Sequence, residues 1–181
     1  AYIFAQSGDY HFVQLKTITT YFTSISTRFG CSLASYESMI LIGGCSMNSY
    51  GGAILVFNGV ILTTLVPHIN TIQNISSVAL SKETAVLGFP LHHNGMIVLF
   101  PISDLFGIGY GTVISGIEIQ PEDLQENDYF GSSLAFQNNE TLLVGSPFHQ
   151  GTGAIYVYKY NSTIWINWSK IFPSSSSAIY F

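Results

Sequence analysis

Short runs in which apolar and polar side chains alternate recur along this chain. The clearest is Ala154-Ile155-Tyr156-Val157-Tyr158. Period-two alternation in β-branched and aromatic residues predicts strands with one face turned inward. Turn residues separate the runs at Gln137-Asn138-Asn139, His149-Gln150-Gly151 and Asn161-Ser162. Asn58-Gly59 lies between two apolar runs, a strong short-range signal for a hairpin.

The runs are copies of one another. Phe130-Gly131-Ser132-Ser133-Leu134-Ala135, then Leu142-Leu143-Val144-Gly145-Ser146-Pro147, then Gly153-Ala154-Ile155-Tyr156-Val157-Tyr158 form one block. An earlier copy reads Phe29-Gly30-Cys31-Ser32-Leu33-Ala34, Ile40-Leu41-Ile42-Gly43-Gly44 and Gly52-Ala53-Ile54-Leu55-Val56-Phe57. A degraded copy lies between them, in Ser76 to Leu80, Val86 to Pro90 and Gly95 to Phe100. Each copy reads as a four-stranded antiparallel meander. Such a unit repeated about every 40–50 residues predicts β-propeller blades. The expected fold is all-β, a partial or incomplete propeller. Residues 1–20 would supply the last two strands of a blade. Residues 21–67, 68–121 (with an enlarged loop) and 122–173 would each be a blade, and 174–181 the start of the next or a tail. A fragment of a longer chain, or a ring completed by other copies, would both fit.

The blocks resemble the FG-GAP repeat, the blade of integrin-α-type propellers. The resemblance is good in the second and fourth units and partial in the third. In that family a calcium loop often joins the first two strands. Here the corresponding turns are Ser35-Tyr36-Glu37-Ser38, Ser81-Lys82-Glu83-Thr84 and Gln137-Asn138-Asn139-Glu140. None offers the convergent carboxylates that a hard cation needs. The resemblance is therefore to the calcium-free branch, and no cofactor is expected. Gly131 and Gly145 are expected to allow close backbone approach near the crowded centre.

Charge is scarce. Charged residues make up 8% of the chain, against about 25% in ordinary domains. None occurs between Glu37 and Lys82. Such a surface calls for cover by glycan or neighbouring subunits. A net charge of −5 with five basic residues argues against nucleic acid, which needs a basic footprint. The apolar stretch from Gly51 to Val66 is broken by Asn58-Gly59 and falls short of the roughly 20 residues of a membrane-spanning helix.

Four N-glycosylation sequons begin at Asn74, Asn139, Asn161 and Asn167. Asn139 and Asn161 lie in expected turns and are the favoured sites. Asn167 falls within a strand and Asn74 near a strand start. Cys31 and Cys45 flank a hairpin centred on Ser38, which could bring them within disulfide range; two buried free thiols are the alternative. Sequons and paired cysteines together indicate an extracellular or secretory-pathway setting.

Candidate chemistry gathers at one end of the blades. His92 and His149 each lie two residues after a proline, in corresponding second-to-third-strand loops, with His93 adjacent. The resemblance implies that this is the ligand-binding face. A zinc site would need three or four converging ligands, more than corresponding loops of adjacent blades bring together. Glu118, Glu122, Asp123, Glu126 and Asp128 form an acidic cluster leading into the fourth blade, on the same face. Glu122, Asp123 and Glu126 could capture a cation or a basic partner, or simply keep an uncharged surface soluble. Gly107-Ile108-Gly109-Tyr110-Gly111 lacks the βαβ context of a dinucleotide site. Trp165 and Trp168 lie on an outermost strand, to pack under a glycan, against a neighbour or on the next blade.

The reading these features favour is a non-catalytic extracellular binding or adhesion module for a protein or glycan partner. Two alternatives stand beside it: a structural glycoprotein subunit of a fibre, filament or coat, and an accessory propeller of a larger enzyme.

Overall fold

The structure is a computed structural model that describes residues 1–7, 9, 11–18, 29–45, 52–58, 60–65, 75–106, 114 and 116–174. Its strands form four antiparallel sheets. The first pairs β1 (Tyr2–Gln6) with β2 (Phe12–Thr17). The second is the meander β3 (Phe29–Tyr36), β4 (Met39–Gly44), β5 (Gly52–Phe57) and β6 (Val60–Leu65). The third is β7 (Ser77–Leu80), β8 (Thr84–Phe89), β9 (Met96–Pro101) and the short β10 (Ile117–Ile119). The fourth is β11 (Ser133–Asn138), β12 (Thr141–Ser146), β13 (Ala154–Tyr160) and β14 (Trp165–Ile171).

The sheets stack face to face, and the period of two explains how. In β5, Ala53 and Leu55 join a core shared with the third sheet, while Ile54 and Val56 join a core shared with β1–β2. In β9, Met96, Val98 and Phe100 face the second sheet, and Ile97 and Leu99 face the fourth. Both faces of an inner sheet are thus buried, which explains runs such as Ala53-Ile54-Leu55-Val56 that are apolar throughout. At about 25 cal/mol per Å² of apolar area, burial on both faces outweighs any single polar contact between sheets.

First strands lie side by side. The Val78 N–H of β7 donates to Ser32 Oγ of β3 (3.0 Å), and Ser77 Oγ donates to the carbonyl of Gly131, just before β11 (2.7 Å). Meanders stacked in this way, joined along their first strands, are β-propeller blades.

The Phe-Gly motif closes the junction between blades. Phe130 is fully buried in the core between the third and fourth sheets, edge-on to Tyr156 at 5.0 Å. It forms a parallel bridge with Gly95, whose φ is +106°. A Cβ on Gly95 would run into the Phe130 backbone, and one on Gly131 (φ +88°) would lie 2.7 Å from the Met96 carbonyl. Here the expected close approach occurs at Gly131. At Gly145 the crowding atom is instead Ser133 Oγ of its own sheet.

Three local differences from the sequence reading follow from register. β11 runs on to Asn138, through a bulge, so the expected turn begins two residues later, at Asn139. Glu118 lies in strand β10 rather than in the connection. Cys31 is not in a directly opposed pair: Phe29 pairs with Gly44 and Ser32 with Gly43, so Cys31 occupies a bulge. It forms a disulfide with Cys45, just past β4, at a Cα separation of 6.0 Å. Thr20, Pro67, Gly59, Asn74, Gly107 to Gly111 and residues 175–181 lie outside the described residues. Among those described, no helix is long and apolar enough to cross a membrane.

Candidate functional site

Loop 90–95, which joins β8 to β9, loop 147–153, which joins β12 to β13, and connection 120–131 meet at one end of the blades. Backbone groups lock the first loop to the connection. Asn94 Nδ2 donates to the Leu124 carbonyl (3.2 Å), Gln120 Nε2 to the Gly95 carbonyl (3.1 Å) and the Phe130 N–H to the Asn94 carbonyl (3.4 Å). The acidic connection is therefore a fixed seam between two blades rather than a free loop.

Asp128 and His149 anchor that seam from below. Both are buried. His149 Nδ1 lies 2.7 Å from Asp128 Oδ2, so Nδ1 carries the proton and donates to the carboxylate. The same Oδ2 accepts the Gln125 N–H at 2.9 Å, and Ser146 Oγ donates to the Asp128 carbonyl at 2.9 Å. His149 Nε2 faces Asp123 Oδ2 at 3.5 Å, and the Tyr156 hydroxyl donates to Asp123 Oδ1 at 3.4 Å. Lys170 pairs with Asp123 and places its ammonium 4.6 Å from the centre of the Tyr156 ring. Phe172 stacks on the imidazole.

These contacts move ionisations. Burial alone would raise the Asp123 carboxyl, but the hydrogen bond and charge of Lys170, with His149 behind it, hold it below the usual carboxylate range. Burial first, then the charge of Asp123 and the hydrogen bond to it, push the Tyr156 phenol well above its ordinary value. Tyr158 moves the same way, through burial and then Asp123. At His92, burial and the neighbouring His93 lower the imidazole, with Glu118 pulling the other way.

The candidate residues fall into two groups. His149 and Asp123 come together, with His149 fully enclosed and Asp123 at the surface above it. His92 and His93 lie together on the adjacent loop, rings 4.4 Å apart, and Glu122 and Glu126 are exposed on the connection. Pro121, Glu122, Asp123, Tyr158, Asn167 and Lys170 line an open groove of about 550 Å³. Asp128, Tyr156 and Lys170 belong to the network but were not among the candidates singled out from sequence. Asp128 alone had a sequence signal, its place in the acidic cluster. Tyr156 and Lys170 lie on strands, where only the register shows which face they take. Among the described residues no three His, Cys, Asp or Glu side chains are placed to hold a metal ion.

The sequon residues differ in setting. Asn139 is half-buried and accepts the Lys82 N–H from the neighbouring sheet at 3.3 Å. Asn161 is exposed in the β13–β14 turn, and its Oδ1 accepts the N–H groups of Thr163 (3.1 Å) and Ile164 (2.9 Å). Asn167 is exposed on β14. Trp165 packs against Phe136 and Tyr160, whereas Trp168 is 64% exposed with the Lys159 ammonium over its ring.

No curated protein matches the chain. The family model described as the FG-GAP repeat matches residues 117–158. That span starts at β10, crosses the acidic connection and the Phe130-Gly131 junction, and ends in β13. Both the junction that seats one blade on the next and the Asp128–His149 anchor beneath the loops fall inside the match. Over residues 117–158 this chain is similar to the FG-GAP repeat.

Proposed function

We propose that this chain is a non-catalytic extracellular binding or adhesion module, recognising a protein or glycan partner through the loop end of its blades. The observation that carries this reading is the FG-GAP repeat itself, because such repeats build propeller modules commonly used in adhesion. The site supports it. His149 is closed off from solvent with its ring engaged on both edges, an arrangement suited to holding loops in place rather than to proton transfer. His92, His93, Glu122, Asp123 and Glu126 then form the contact surface. The Cys31–Cys45 disulfide fits an oxidising compartment. The test is binding of the purified chain to a glycan array and to intact cells. Alanine at His92 and His93, or at Glu122 and Glu126, is expected to abolish binding and leave the melting temperature unchanged. Unaltered binding by both double variants would overturn this assignment of the face.

A second reading, a structural glycoprotein subunit, is favoured by the apolar outer faces. Tyr2, Phe4 and Phe12 on the first sheet, and Trp168 and Ile171 on the fourth, are exposed. A native particle of many copies, by light scattering, would favour this reading over the first.

A further inference from the structure

At the end of the blades opposite the histidine loops, a groove of about 650 Å³ runs between the third and fourth sheets. That volume is in the range of ligand pockets. Its walls include Phe106, Ile117, Ile119, Ile164 and Trp165. Phe106, Ile117 and Ile164 are 50%, 54% and 59% exposed, so large apolar side chains that fold well elsewhere are left open here. Lys82 and Glu83 lie on one lip, and their opposite charges leave no preference for an anion or a cation. The groove therefore suits a neutral occupant with both C–H faces and hydroxyl groups.

A source for such an occupant lies at the mouth. Asn161 begins the sequon Asn161-Ser162-Thr163, and the groove is lined by Tyr160, Thr163 and Ile164 of the same turn. Among the described contacts the turn engages the Asn161 side chain through Oδ1 alone, while its backbone N–H donates to the Ile164 carbonyl at 3.2 Å, with Ser162 at φ +71°. N-glycosylation changes the other atom. Nδ2 forms a bond to C1 of the sugar of a lipid-linked oligosaccharide diphosphate, the C1–O bond breaks, the lipid diphosphate leaves and Nδ2 gives up one proton. Oδ1 remains a carbonyl oxygen, so both turn hydrogen bonds survive the modification. By contrast, Asn139 uses its Oδ1 to tie two sheets together while half-buried.

We propose that Asn161 carries an N-linked glycan and that the sugars nearest the protein lie in this groove, their C–H faces against Ile164 and Trp165, and cover it. The proposal rests on the extracellular reading and goes beyond it, assigning a modified residue and a role for the sugar.

The test is secretion of the chain from eukaryotic cells behind a heterologous leader, in wild-type form and as Thr163→Ser and Thr163→Ala. Serine keeps the sequon. Alanine removes it but leaves the backbone N–H groups that hold Asn161. Glycopeptide mass spectrometry should find sugar on Asn161 in the first two and none in the third. Binding of a hydrophobic dye should rise severalfold in Thr163→Ala only. Adding Ile117→Ser and Ile164→Ser to that variant should reverse the rise. A bare Asn161 in the wild type overturns the proposal. If Cys31–Cys45 is then oxidised and another sequon is occupied, the extracellular reading survives without it; reduced cysteines and bare sequons throughout would count against both. Sugar on Asn161 with equal dye binding in all three forms also overturns the proposal, because the groove would then be uncovered.

Discussion

Asp128 accepts from the Gln125 N–H and from His149 Nδ1 while buried, so its removal takes the carboxylate acceptor from both donors. Asp128→Ala is expected to cost about 2–4 kcal/mol, read as a lower urea midpoint. Asp123 acts through pH. Its folded-state ionisation is held low, chiefly against burial by Lys170. Its contribution is therefore present at neutral pH and is lost as pH falls through about 4, the unfolded value, toward the lower folded one. Lys170→Met should flatten that acid limb, as measured by urea midpoints between neutral and acid pH. Tyr156 and Tyr158 have raised phenols, so their contribution is complete below about pH 10 and is lost as pH rises above it. An absorbance titration at 295 nm should show two tyrosines that ionise only as the fold opens.

At the scale of elements, the junction between blades is where substitution is least tolerated. Gly95 combines a positive φ with contact against the Phe130 backbone. Gly95→Ala should therefore destabilise by more than the roughly 1 kcal/mol of an ordinary glycine exchange, and Phe130→Ala by about 3–5 kcal/mol. Thermal melts of the two variants check both values. Four-stranded meanders were legible in the sequence because alternation and turn residues act locally. The disulfide was legible as one of two alternatives. Its placement in a bulge was not, because register depends on how Phe29 and Ser32 meet β4.

Across the whole molecule, burial is graded through the stack. β8 and most of β9 are buried on both faces, while most of β14 and β2 is exposed. Hydrogen exchange should be slowest in β8 and β9 and faster in β14 and β2; equal protection throughout would contradict this gradient. The same stacking turns local motifs into a surface. Connection 120–131 becomes a fixed seam only because loop 90–95 of the preceding blade bonds to it.

The amino-acid sequence by itself determined the strands, the repeat and the end of the blades where His92, His149 and Asp123 lie, since each follows from local periodicity and recurring spacing. Only the tertiary structure decided what those residues touch. By repeat position His149 is equivalent to His92; packing encloses it between Asp128, Tyr156 and Phe172, whereas His92 lies beside His93 near the surface. The groove beside Asn161 is likewise formed by side chains from two blades far apart in sequence. Period and turn chemistry are properties of neighbours along the chain, but burial, pairing and cavities are properties of which faces meet.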